Sequence, residues 1–214
     1  MATNYPTSLD SYSTKNAGDT IAEGHINDPQ DAIEAIEAKI GTGADTPVSG
    51  DVMKGTGTGT SGWAALTTTD LPAGSVVQVV NYQRQDEVAC ATVIPMDNNA
   101  RTSAEGNQIL TVTITPKSNS NKLFIQVAVH FGGGSNNCII LMDGTTVLAT
   151  GRCVTNTHGD PLLLNYWMTS PGTTAKTFNV NAGANGGGGT LNKTSISVDA
   201  GKLVSSITIT EIKG

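Results

Sequence analysis

Ser205-Ser206-Ile207-Thr208-Ile209-Thr210-Glu211-Ile212, reading SSITITEI, is the stretch that decides the fold. Ile207, Ile209 and Glu211 fall on one face, and Ser206, Thr208, Thr210 and Ile212 on the other. A period of two is that of a β-strand whose two faces meet different surroundings. The same signature recurs upstream. Ile109 to Thr115 alternates and stops at Pro116, and Lys122 to Phe131 follows the turn Ser118-Asn119-Ser120-Asn121. Cys138 to Met142 is stopped by Asp143-Gly144, a hairpin turn signal, and Val147 to Ala149 returns. Val76 to Val80, Ala89 to Ile94, Leu162 to Met168, Lys176 to Val180 and Thr194 to Val198 complete the set, and a glycine run spans Gly183 to Gly189.

Strands this short and this regularly spaced predict an antiparallel β-sandwich of jelly-roll type over 74–214. That length suffices for one sizeable core. Val, Ile and Leu, with Phe131, Trp167 and Phe178, are the expected core residues.

Composition agrees with mainly β structure. Of the 214 residues, 14% are charged and 4% aromatic, and 25 are glycine, which suits strands and turns with neutral polar surfaces. A net charge of −6, with no basic cluster, argues against nucleic acid as a partner. No apolar run approaches the ~20 residues that cross a bilayer, so no membrane association is expected, and no basic-then-apolar start marks a secretory signal. Cys90, Cys138 and Cys153 are odd in number and lack a CxxC pair, which points to buried free thiols.

Upstream of the sandwich lies Asp28 to Gly41, DPQDAIEAIEAKIG. Asp28 can cap a helix, Pro29 suits its first position, Asp31 favours its dipole and Gly41 can stop it. Ile33, Ile36 and Ile40 form one stripe, and Ile26 continues it past the cap. A helix of three turns is below the ~12–15 residues at which isolated helices become marginal, so it needs a partner. Isoleucine at both core positions of a heptad favours three or four strands. The stripe therefore reads either as the axis of a short parallel trimeric coiled coil or as one face docked on its own domain.

Residues 1–27 are polar and turn-rich, with Tyr5, Leu9, Tyr12 and Ile21 spaced too irregularly for a helix or a strand. They read as an arm that orders against another surface. Residues 42–73 are Gly/Thr-rich and read as an extended linker, with Trp63 to Leu66 as a small apolar anchor.

No catalytic constellation is legible, and the chain is not expected to be an enzyme. His25, His130 and His158 lack metal-ligand spacing. His130 reads as a sheet-face residue, and His158 as part of a turn. The glycines of 55–62 have neither the Lys nor the strand–helix context of a phosphate loop. Asp97 to Arg101 lacks the spaced carboxylates of a calcium loop and reads as a polar turn. No metal and no cofactor are expected. Acidic residues of the sandwich are scattered, without the paired carboxylates of a glycosidase. Asn- and Gly-rich loops near Tyr166 and Trp167 leave a glycan site open.

Two stretches carry a resemblance. The segment PTSLDSYSTKNAGDTIAEGHINDPQDAIEAIEAKIG resembles the start of tailed-bacteriophage fibre and appendage proteins, through Pro6, Ser8 to Tyr12, Asp19 to Ile21, Gly24-His25, Asn27-Asp28 and Ala32 to Gly41. The stretches ILTVTITPKSNSNKLFIQVAVHF, IILMDGTTVLATG, SPGTTAKTFNVNAGANGGGGTLN and SSITITEIKG look like the globular domain that ends many phage and marine-virus fibres. The resemblance implies a virion location and an N-terminal arm that attaches to other virion proteins, whether capsid or tail and portal. It also implies a homotrimer started by the helix, with a β-domain outward. No repeated shaft segments are present, which tilts the expectation from a host-recognising tail fibre to a head fibre or capsid decoration protein. The alternative is a receptor-binding fibre whose partner is a host-surface glycan.

Overall fold

The computed structural model describes residues 48–55, 61–153, 161–193 and 202–214, together with 18, 20, 29, 30, 33, 34 and 36. Tyr5, Leu9, Tyr12, Ile21 and Ile40 lie outside the described residues, as do His25, His158 and the expected strand Thr194 to Val198. The chain divides into two compact units, Met1–Asp70 and Leu71–Gly214.

In the first unit, Pro29, Gln30, Ile33, Glu34 and Ile36 are helical. Beyond them the expected linker contains a two-stranded antiparallel ribbon, β1 (Asp51–Gly55) and β2 (Ser61–Ala65), with Met53 opposite Trp63. The Gly/Thr-rich surroundings mask it, and within the two short strands the apolar residues Val52, Met53 and Trp63 to Ala65 are adjacent rather than alternating. Polar anchors hold its ends. Lys54 donates to Asp70 at 2.7 Å, and the Thr67 amide and hydroxyl donate to the same carboxyl oxygen. Lys54 first, and Thr67 next, hold the Asp70 carboxyl far below the usual carboxylate range.

The second unit is mainly antiparallel β. Its strands are β3 (Val76–Arg84), β4 (Val88–Cys90), β5 (Asn107–Ile114), β6 (Lys122–Gly132), β7 (Asn137–Asp143), β8 (Thr146–Cys153), β9 (Pro161–Thr169), β10 (Lys176–Ala184), β11 (Gly189–Leu191) and β12 (Ser205–Ile212). One sheet has the order β5-β10-β7-β8. The other runs β3-β12-β6, with β9 on the far edge of β6 and the short pair β11-β4 extending it. β6 pairs β12 through Lys122–Ala128 and then β11 through Phe131 and Gly132, so β11 takes over the edge that β12 leaves. With β3/β4 and β12/β11 taken as two continued strands, eight positions in chain order make the sheets 1-8-3-6 and 2-7-4-5. This is a double Greek key sandwich, the arrangement of a jelly roll.

The handover from β12 to β11 is built from polar side chains. The Ser205 hydroxyl accepts from the His130 amide at 3.0 Å and donates to the Asn192 carbonyl at 2.7 Å. Asn192 in turn donates to the backbone oxygens of Arg84 and Asp86, fastening the bend between β3 and β4. Its φ is +54°, a left-handed conformation that asparagine tolerates better than most residues.

The core lies between the sheets. Leu123, Ile125, Val127, Val129 and Phe131 of β6 meet Ile207 and Ile209 of β12 on one side. Ile109, Ile114, Ile139, Leu141, Phe178 and Val180 meet them from the other sheet. Each such side chain contributes about 1.5–3 kcal/mol by leaving water. Phe131 and Phe178 are fully buried, as expected. Trp167 is not in the core: it is 56% exposed on the outer face of β9. All three cysteines are free; Cys90 and Cys138 are buried and Cys153 is intermediate.

The inward face of β12 ends on a carboxyl. Glu211 is completely buried. One of its oxygens accepts from the Lys117 amide at 2.8 Å and from Asn121 Nδ2 at 2.6 Å, and the other from Gln78 Nε2 at 2.5 Å. Three chain segments thus converge on one group: β3, the turn between β5 and β6, and β12.

Candidate functional site

The two outer faces of the sandwich are unlike. Residues 91–106 connect β4 to β5, and Ile94 from this loop packs on Cys138, Ile140 and Met142 of β7 in a second apolar cluster. Arg101 holds the loop together, donating to the Pro95 and Asn99 carbonyls and to the Asp97 carboxyl, with Glu105 at 3.4 Å. Arg152 of β8 donates to the same Pro95 carbonyl at 2.9 Å. Asp97 to Arg101 is thus a polar turn with its carboxylate taken by Arg101 and Asn99, as expected for that stretch. The covering chain on this side brings its own charged cluster, Asp97, Arg101 and Glu105, beside Arg152.

The outer face of the β3-β12-β6-β9 sheet carries no such cover among the described residues. Its pairing register sets out three rows across four strands. The first is Val79, Thr210, Phe124 and Trp167. The second is Asn81, Thr208, Gln126 and Asn165, and the third Gln83, Ser206, Ala128 and Leu163. All twelve side chains are uncharged. The next row in one direction brings the first charge, Lys122, whose ammonium donates to Thr169.

Apolar groups stand at the corners of this face. Leu163 is 68% exposed and Val79 55%. The Trp167 ring stacks on Phe124, directly opposite it across β6 and β9, with centroids 4.4 Å apart and planes 21° apart. Such a pair is held by more than its buried area. Between the corners lies a shallow depression of about 340 Å³, lined by Gln126, Ala128, Leu163, Asn165, Ser206 and Thr208. Asn81 donates to Thr208 at 2.7 Å, leaving the amides of Gln126 and Asn165 as the polar floor.

The structure brings Trp167 and Asn165 to one face, but Tyr166 points into the core side with Leu164 and Met168. The strand expected at Leu162 to Met168 is present as β9, but its sequence misplaces Trp167 in the core because Leu163 and Trp167 make the outer face nearly as apolar as the inner one. That double apolarity is itself the signal that both faces of the strand meet something. His130 is half-buried at the end of the same outward series as Ala128.

Ile33 and Ile36, two of the three residues of the expected trimer stripe, are 54% and 42% exposed in the single chain. Among the described residues, no three of His, Cys, Asp or Glu come together in a way that could hold a metal ion. No helix among them is long and apolar enough to cross a membrane.

No protein-family model matches the chain, and no curated protein matches it. Among solved structures, a similarity is found to the VP2 subviral particle of infectious bursal disease virus, at 10% identity and a TM-score of 0.27. It covers 78% of this chain and 44% of that one, so the chain spans less than half the length of its structural neighbour.

Proposed function

We propose that this protein is a structural component of a phage virion, a homotrimeric fibre or capsid decoration protein. In this reading the arm over 1–27 attaches it to the particle, and the sandwich is its outward domain. The observation that carries it is the exposed isoleucine stripe: Ile33 and Ile36 lie on a helical segment and are left open to water in a lone chain. A short helix with an uncovered apolar stripe needs partners, and isoleucine at the core positions suits three. The likeness of the N-terminal segment to phage appendage proteins supports the same conclusion. Three chains joined at one end make weak attachments additive, because the second and third contacts form at high effective concentration.

The receptor-binding alternative draws on the uncharged face, where Asn165 and Trp167 stand one row apart. Leu163 and Val79 at its corners suit an apolar partner better than a sugar.

Light scattering on the full chain and on Ile36→Asp tests the proposal. A trimer that becomes a monomer in the variant is the expected result. A monomeric parent chain at micromolar concentration overturns it.

A further inference from the structure

We infer that the bare face of the β3-β12-β6-β9 sheet is where copies of this chain meet. The inference rests on the homotrimeric reading above and adds a second contact surface to it. Three observations select a second copy as the occupant.

The first is asymmetry of cover. A sandwich buries the inner faces of its sheets and normally shows polar outer faces to water. Here one outer face is covered by the chain's own loop through Ile94. The other shows Leu163, Val79 and Trp167, each more than half exposed. Three exposed apolar side chains and a ring stack on one sheet face are more apolar surface than the outside of a sandwich ordinarily shows to water.

The second is charge. The chain carries a net −6, so copies repel one another on average. A partner of opposite charge would be recognised through carboxylates, and none lies on these twelve residues. A face without charge is what identical acidic chains can bring together at no electrostatic cost, with uncharged amides and hydroxyls available to pair across it. Trp and Phe, both on this face, are among the residues enriched at interface centres.

The third is area. Four strands about 4.8 Å apart and three rows about 6.7 Å apart make a patch on the order of 400 Å². That is about half of the ~800 Å² that a standard interface takes from each partner. The face is therefore too small to hold copies together alone, and fits a role shared with the isoleucine stripe.

The test reads the face and the assembly separately in the full chain. Trp167 oxidation by hydroxyl radicals is followed by peptide mass spectrometry, against a free peptide of residues 161–170. The expected result is a trimer in which Trp167 reacts at least tenfold more slowly than in the peptide. In parallel, Leu163→Glu, at a position open to water in the lone chain, raises the concentration at which the trimer half-dissociates by at least tenfold. Leu163→Gln, which adds no charge, has a smaller effect in the same direction. A trimer with Trp167 as reactive as in the peptide, and unmoved by Leu163→Glu, overturns this inference and leaves the homotrimeric reading intact. The face would then be open to a different partner, such as a neutral oligosaccharide. A parent chain that is monomeric overturns both.

Discussion

Replacing Glu211 with leucine removes the acceptor on which three segments of the sandwich converge. The carboxyl is fully buried, and so is Asn121, one of its donors. Gln78 has a second acceptor, the Thr115 carbonyl at 2.8 Å, and is partly compensated. The Asn121 amide and the Lys117 N–H lose the acceptor they share. A buried donor left without a partner costs about 1–3 kcal/mol, so the buried Asn121 amide, with the partly buried Lys117 N–H and Gln78 amide, comes to about 3–4 kcal/mol. Against a typical domain stability of about 5–15 kcal/mol, that is a large fraction. With a urea dependence of about 2 kcal/mol per molar, the unfolding midpoint falls by roughly 2 M. The assay is urea unfolding of both chains at one fixed subunit concentration, because association would otherwise add its own stabilisation. Glu211→Leu combined with Gln78→Leu and Asn121→Leu should recover part of the loss, since removing both sides of a hydrogen bond is far cheaper than removing one. A midpoint within 0.5 M of the parent for Glu211→Leu (about a quarter of the expected shift) would refute the view that this carboxyl ties the segments together.

Other outcomes follow from burial and close approach. Burial pushes the Cys90 thiol up to about 11, with Leu191 and Arg84 opposing it, and burial raises Cys138 as well. A raised pKa contributes stability that is whole below the unfolded value near 9 and is lost as pH rises to about 11. Two units at about 1.4 kcal/mol each give on the order of 3 kcal/mol, and unfolding curves of Cys90→Ala should show a flatter decline over that window than the parent. Cys153, less buried than the other two, should react first with a thiol reagent at pH 8 in the native protein. Gly189→Ala should destabilise by about 1–3 kcal/mol in thermal unfolding, because a Cβ there would run into the ring of buried Phe131.

How much was legible in the sequence depended on whether a strand's two faces differ. β12 has isoleucines inward and hydroxyls outward, and its period of two is plain. β5 is legible for the same reason. β7, Asn137–Asp143, is buried on both faces, with Ile139 and Leu141 in the main core and Cys138, Ile140 and Met142 under the loop. It shows as an apolar run and was placed only by the Asp143-Gly144 turn that ends it. Where side chains are small, the signal fails. β11 is Gly189–Leu191, hidden at the end of a glycine run in which Gly183 and Gly189 have neighbours too close for a Cβ and Gly187 and Gly188 take positive φ. Gly183, for one, would set a Cβ 2.6 Å from the Thr92 carbonyl oxygen. β1 and β2 are five residues each, and their apolar residues are adjacent rather than alternating, so no period of two shows. The strand expected at Ala89 to Ile94 shortens to Val88–Cys90, because Ile94 leaves the sheet to seal β7 from outside. The candidate face was the least legible part. Its twelve residues come from four strands far apart in the chain, and only the pairing register sets them side by side.

The central place of β12 has a consequence for how the chain is made. β12 lies between β3 and β6, and its pairing with β3 joins residues more than a hundred positions apart, 133 between Gln78 and Glu211. During synthesis from the N-terminus, β3 and β6 leave the ribosome with a gap between them that only the last strand can fill. Until it arrives, both present open hydrogen-bonding edges and bare isoleucine and valine to every other nascent copy. Closing so long a loop is slow compared with local pairing. The folding of this domain is therefore a final insertion, and the interval before it is when chains are most prone to join wrongly.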